Sequence, residues 1–197
     1  MRYPIGLLLI VLGFAGVASA AVPLTLSDDQ QRRLAAGEIV VLDTLPPGAG
    51  TASQGGTALA MVNASAEAIW RVLVDYAGHS GLYPHVVGAE VLEADGQHAL
   101  VRYVIGVGLF SFGFHVDNYP DVTQRRLVWR LAAGRTNDLF RESSGYWQVD
   151  AGDGVTLLTY AMASRTVFPT FLTRGAEREG LAETVKAVRT RAEKGRS

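Results

Sequence analysis

Along residues 102–116, RYVIGVGLFSFGFHV, bulky and small side chains alternate. The bulky positions are Tyr103, Ile105 and Val107, then Phe110, Phe112, Phe114 and Val116; most of those between are glycine, serine or a polar group. A repeat of two is that of a β-strand with one face turned from water, so the stretch predicts two strands sharing an aromatic face. The same reasoning predicts strands over about 87–94, 98–108, 110–119, 125–133, 139–149 and 155–165. Turn residues divide them at Asp95-Gly96, Tyr119-Pro120-Asp121, Gly134 and Ala151-Gly152-Asp153-Gly154.

Elsewhere the pattern has the period of a helix. After a short strand at 57–63, residues 64–76 (ASAEAIWRVLVDY) place Ala68, Ile69, Val72 and Leu73 on one face, with Ser65 as N-terminal cap. Asn63-Ala64-Ser65 also fits a glycosylation pattern, but the capping role explains Ser65 at this junction. Gly78 and Gly81 bend the connection AGHSGLYPHV, and Pro84 suits the start of a helical turn. Pro169 introduces a last helix of roughly 25 residues, with Leu172, Ala176, Leu181, Val185, Val188 and Ala192 along one stripe.

Near the start, Ser27 caps a short helix with Asp28 and Asp29 in its first turn and Gly37 closing it. A strand is expected at about 38–45, stopped by Pro46-Pro47, and GAGTASQGG (48–56) reads as a flexible loop. The chain therefore divides into residues 1–20, an N-terminal extension over 21–54 and a main domain over 55–197. Six consecutive strands with short turns form an antiparallel meander. Its apolar face needs a cover, and the long terminal helix is the element large enough to supply one. The expected class is α+β.

Residues 1–20 change the picture of where the protein works. Arg2, the apolar run Ile5 to Val17 and the small-residue ending Ala18-Ser19-Ala20 have the form of a secretory signal peptide cut after Ala20. The expected location is periplasmic or secreted. With no cysteine in the chain there is no disulfide framework, so the core alone must hold the fold in an oxidising compartment. The net charge is −1, or −2 once Arg2 is removed, and no basic stripe exists to bind nucleic acid.

Catalytic motifs are missing. There is no cysteine nucleophile, no G-x-S-x-G elbow and no HExxH among His79, His85, His98 and His115. GVGLFSFG lacks the third glycine and following helix of a dinucleotide site. No catalytic residue, metal ligand or cofactor site is assigned. The aromatic strands point instead to a pocket. Tyr103, Phe110, Phe112, Phe114, Trp129 and Trp147 can converge on one face, and Trp and Tyr bring polar groups that pure filler does not need. Gly175 and Gly180 on the terminal helix each cost roughly 1 kcal/mol relative to alanine, and their small size leaves room. The candidate ligand-binding residues are Tyr83, Tyr103, Phe112, Phe114, Trp129, Trp147, Tyr160 and Gly180. Tyr83, His85 and Arg165 are candidates for its mouth, whereas His115 has the opposite parity to Phe114 and is expected to face solvent.

Three pieces of the chain resemble the START-like superfamily: TALAMVNASAEAIWRVLVDYAGHSGLYPHVVGAEVLEADG, SSGYWQVD with GVTLLTYAMAS, and FPTFLTRGAEREGLAETVKAVRTRAE. The most telling features are Asp75-Tyr76 ending a helix, then Tyr83-Pro84, then Val91-Leu92-Glu93 in a strand. The resemblance spans roughly 55–195 and omits the extension. It implies a helix-grip fold, a curved antiparallel sheet wrapped around the C-terminal helix, with two short helices after the first core strand. It also implies an apolar cavity between sheet and helix. Three functions remain open. One is extracytoplasmic binding or transport of a lipid, quinone or sterol-like molecule, with transient membrane contact for exchange. The others are a cyclase/aromatase-type enzyme and a partner-binding structural protein that uses the extension. The sequence does not specify an oligomeric state.

Overall fold

The computed structural model describes residues 25–152, 154–167 and 170–195, and the side chains of these except in 170–177. The expected signal peptide, its cleavage point at Ala20 and the helix-opening Pro169 lie outside the described residues, as do the side-chain surroundings of Leu172, Gly175 and Ala176. Helix α1 (Asp28–Ala35) is followed by strands β1 (Val40–Leu42) and β2 (Gln54–Val62). Helix α2 (Ala66–Val74) and a 3-10 turn at Tyr76–His79 lead to the meander. Its strands are β3 (Val86–Ala94), β4 (Ala99–Val107), β5 (Phe110–Asp121), β6 (Arg126–Leu131), β7 (Phe140–Ala151) and β8 (Thr156–Thr166), and helix α3 (Thr170–Lys194) closes the order.

The caps form as their residue types require. Ser27 Oγ accepts from the Gln30 N–H while Gln30 returns the contact to the Ser27 N–H, a reciprocal capping box. Ser65 Oγ accepts from the Ala68 N–H. On the face of α2 chosen by its period, Ile69 and Leu73 are wholly enclosed and Ala68 and Val72 are half-buried against the core. Each enclosed side chain contributes about 1.5–3 kcal/mol relative to exposure.

The eight strands make one open antiparallel sheet in the order β1-β2-β8-β7-β6-β5-β4-β3. Consecutive hairpins build β3 to β8, and α2 with the 3-10 turn carries the chain from β2 to the far edge. Irregular registers at Val86/Gly88 and Val91/Glu93 in β3, and at Phe140/Glu142 in β7, bend the sheet. Helix α3 packs on β2, β8, β1 and α2, where Leu181, Val185, Val188 and Ala192 join the core. This is the helix-grip arrangement, of class α+β.

One boundary differs from expectation. The loop expected over 48–56 ends early, because Gln54 and Gly55 already pair with Ser164 and Ala163 of β8. Glycine is needed there for closeness rather than flexibility: a Cβ on Gly56 would lie 2.4 Å from the Leu42 carbonyl oxygen and 3.3 Å from Leu181 Cδ1. The extension also meets the rest of the fold. Leu34, Val40, Leu42 and Leu59 form a second small cluster. From α3, Arg178 pairs with Asp43 and donates to the Val41 carbonyl, and Arg189 donates to that of Gly37.

Candidate functional site

Alternate positions of five neighbouring strands supply the walls of a cavity of about 180 Å³. Tyr103 and Ile105 come from β4, Phe114, Val116 and Asn118 from β5, Leu127 and Trp129 from β6. Phe140, Ser143 and Trp147 come from β7, Tyr160 and Met162 from β8. Thr184 of α3, with His79, Tyr83, Pro84 and Val86 from the turn region and the start of β3, completes the lining. Parity explains β7 well: Trp147 and Val149 are buried, while Tyr146 on the opposite face lies 3.8 Å beneath the Arg126 guanidinium.

Aromatic stacking organises the walls. Trp147 faces Tyr160 with ring centres 4.1 Å apart and planes 21° apart, and lies 16° from the plane of Tyr83 at 6.3 Å. Trp129 stacks at 6.4 Å on Tyr160, and Tyr103 at 5.6 Å on Phe114. The Trp129 indole rests on bare backbone, since a Cβ on Gly145 would come within 2.7 Å of its Cζ2 and 2.2 Å of the Ala161 oxygen. Glycine at 145 therefore leaves the room that this indole needs.

A polar cluster interrupts this apolar lining. The Asp75 side chain accepts from the Gly78 N–H and closes the 3-10 turn, which carries His79 inward until only 2 % of it is exposed. His79 Nδ1 lies 2.9 Å from Tyr103 Oη, and its Nε2 lies 3.2 Å from the Val72 carbonyl oxygen and 3.4 Å from Tyr83 Oη. Burial lowers the His79 pKa to about 4, against smaller opposing effects of the Val72 carbonyl and Asp75, so the ring is neutral at pH 7. Burial likewise raises the pKa of Tyr83, Tyr103 and Tyr160, and pushes that of Tyr76 up to about 12. Asn118 donates to the Ala99 and Val116 carbonyls at 3.3 Å. No carboxylate, ammonium or guanidinium is in the cavity lining among the described residues. The described residues hold no group of three or more metal-type ligands, and no helix long and apolar enough to cross a membrane.

Of the expected ligand-binding residues, Tyr83, Tyr103, Phe114, Trp129, Trp147 and Tyr160 line this cavity. Phe112 does not, although it shares the parity of Phe114. It is half-buried near the β4–β5 hairpin tip, where Phe110 is 71 % exposed. The neighbour of Phe112 in the facing strand is Ile105, two residues nearer the tip than the Tyr103–Phe114 pair. Gly180 is not in the lining either; Thr184, one helical turn later on the same side, represents α3 there. A Cβ at Gly180 would meet nothing within 4 Å.

The mouth candidates also separate. Tyr83 is inside, Arg165 pairs with Glu142, and His85 sits in an outer depression with Glu183 and Lys186. His115 is half-buried rather than free in solvent, its Nδ1 2.9 Å from the Thr136 carbonyl. Sequence reasoning missed the polar lining residues Asn118, Ser143, Thr184 and, most consequentially, His79. Its only local signal was a histidine among Tyr76, Tyr83 and two glycines, and its partner Tyr103 lies 24 positions away.

Comparisons with known proteins agree with this architecture. No curated protein matches the chain by sequence. Among solved structures, the Zhui aromatase/cyclase from Streptomyces sp. R1128 is 21% identical with a TM-score of 0.59, covering 72% of this chain and 94% of that one. A STAR-related lipid transfer protein from Xanthomonas axonopodis is 17% identical with a TM-score of 0.62, covering 78% and 92%. A START superfamily protein from Mycobacterium smegmatis is 19% identical with a TM-score of 0.59, covering 70% and 96%. At these identities the likeness establishes the fold alone. Residues 62–189 match the family model described as polyketide cyclase/dehydrase and lipid transport. On that match, which spans most of the chain, the protein belongs to this family of the START-like superfamily.

Proposed function

We propose that the protein binds a hydrophobic small molecule in the cavity between sheet and α3. The observation that carries this reading is the lining itself, an apolar and aromatic wall broken by a few hydrogen-bonding groups, which is the composition of a ligand pocket. The polyketide cyclase/dehydrase and lipid-transport family supports the same class of ligand. Binding is favoured over cyclase chemistry because His79, with a pKa near 4, is a weak base at neutral pH, and no carboxylate lines the cavity among the described residues. The volume, about 180 Å³, is modestly above the ~150 Å³ that accepts benzene in an engineered apolar cavity. One or two rings therefore fit the present shape, and a longer lipid or a sterol needs α3 to move outward.

Naphthalene titrated into delipidated protein should quench tryptophan fluorescence saturably. Gly180→Leu should raise stability by about 1 kcal/mol, since leucine is the better helix former and has open space before it, and should leave that binding unchanged because residue 180 lies outside the lining. Absence of saturable binding would reject the pocket, and a large loss of stability in the variant would show that the space before Gly180 is not open.

The proposed setting is outside the cytoplasm, with ligand exchanged during transient contact with a membrane. Residues 1–20 support export. Intact-mass measurement of the exported protein should find a chain beginning at Ala21; one that retains Met1 would count against this location.

A further inference from the structure

We infer that the cluster of His79, Tyr83 and Tyr103 selects uncharged, flat aromatic molecules carrying a hydrogen-bond acceptor, with the Tyr83 hydroxyl as the donor. This rests on the cavity-binding reading above and names the ligand class for it. The Val72 carbonyl sets the polarity of the cluster. A carbonyl oxygen only accepts, so His79 Nε2, 3.2 Å away, carries the ring hydrogen. Nδ1 is then an acceptor, and the Tyr103 hydroxyl, 2.9 Å from it, spends its hydrogen there. Tyr83 Oη lies 3.4 Å from the hydrogen-bearing Nε2, so it can accept from that side but cannot donate to it. Its own hydrogen remains for the cavity it lines. A buried hydroxyl without an acceptor is costly, and an acceptor on the ligand removes that cost.

Charge and shape narrow the class further. The lining carries no ionic side chain among the described residues, so a charged ligand would be buried without a counter-ion. Trp147 lies within 16° of the Tyr83 plane and 21° of Tyr160, which gives the wall nearly parallel faces suited to a flat ring. The volume of about 180 Å³ suits one ring with a short substituent.

Ethylbenzene, acetophenone and benzoate are similar in size and differ in the group they present. Their affinities can be measured by ligand-observed NMR at pH 7 on wild type and Tyr83→Phe, with thermal unfolding to confirm that the variant folds. Acetophenone should bind wild type and lose about 3–10-fold in Tyr83→Phe, the size expected for one neutral hydrogen bond. Ethylbenzene, which offers the hydroxyl no acceptor, should bind Tyr83→Phe at least as well as wild type, and benzoate should bind neither. The carbonyl 13C resonance of labelled acetophenone should move downfield in wild type, a readout that does not depend on the variant. An equal loss for acetophenone and ethylbenzene, an unmoved carbonyl resonance or tight benzoate binding would overturn the assignment while leaving the cavity in place. Failure of ethylbenzene itself to bind would instead remove the binding reading on which it rests.

Discussion

Trp147→Ala should destabilise the protein by about 3–5 kcal/mol, the usual cost of deleting a buried tryptophan. Only 3 % of this side chain is exposed, and its backbone is paired between Leu127 of β6 and Tyr160 of β7's other neighbour, β8. Its removal takes away the 4.1 Å stack on Tyr160 and the flat wall facing Tyr83. The cavity would widen, and neighbouring strands tied by backbone hydrogen bonds cannot collapse into the gap. In a chain of this size the loss corresponds to a fall in Tm of roughly 6–20 °C. Naphthalene binding should weaken as well. Tyr146→Ala, one position away but on the opposite face beneath Arg126, should cost about 1 kcal/mol or less and spare binding. Urea titration of both variants decides the matter. Similar losses would mean that strand parity does not separate cavity wall from outer surface.

The second large effect is a dependence on pH. Folded His79 takes a proton only near pH 4, whereas in the unfolded chain its pKa returns to about 6.5. Between those values the unfolded state binds more protons, so the stability contribution is fully present above about pH 6.5 and is lost as pH falls toward 4. The shift corresponds to a maximum of about 3 kcal/mol. Protonation would also set a cation against the buried hydroxyls of Tyr76, Tyr83 and Tyr103, with Asp75 the nearby carboxylate that partly favours it. Other groups titrate in this range, so the informative quantity is the difference between wild type and His79→Gln. The variant should be less stable at pH 7.5 and should lose less than wild type on going to pH 4.5. Parallel profiles in urea unfolding would show that His79 is not held neutral in the folded state.

Much of the wall was written locally. Because successive strand side chains point to opposite faces, Trp147 and Val149 were separable from Tyr146 and Gln148 by counting alone, and Ser27 and Ser65 announced their helices through their own hydroxyls. The run of strands and the terminal apolar stripe at Leu181, Val185, Val188 and Ala192 were legible for the same reason: each is a periodicity imposed by backbone geometry. Parity assigns a residue to a face, however, and does not say how far along that face another element extends. Phe112 and Phe114 share a side of β5, yet only Phe114 reaches the cavity, where it packs on Tyr103 and on Phe140 of a strand that is not its neighbour, a contact set by packing between elements distant in sequence. Gly55 and Gly56 looked like loop residues for a related reason, since what demands glycine is the approach of Met162 and Leu42 backbone from other strands. His79 was hidden most completely. Its hydrogen bonds run to a carbonyl seven residues back and a hydroxyl 24 residues ahead, and its neutrality comes from burial. Only the folded 3-10 turn, by removing water from around the ring, brings those groups to bear on it.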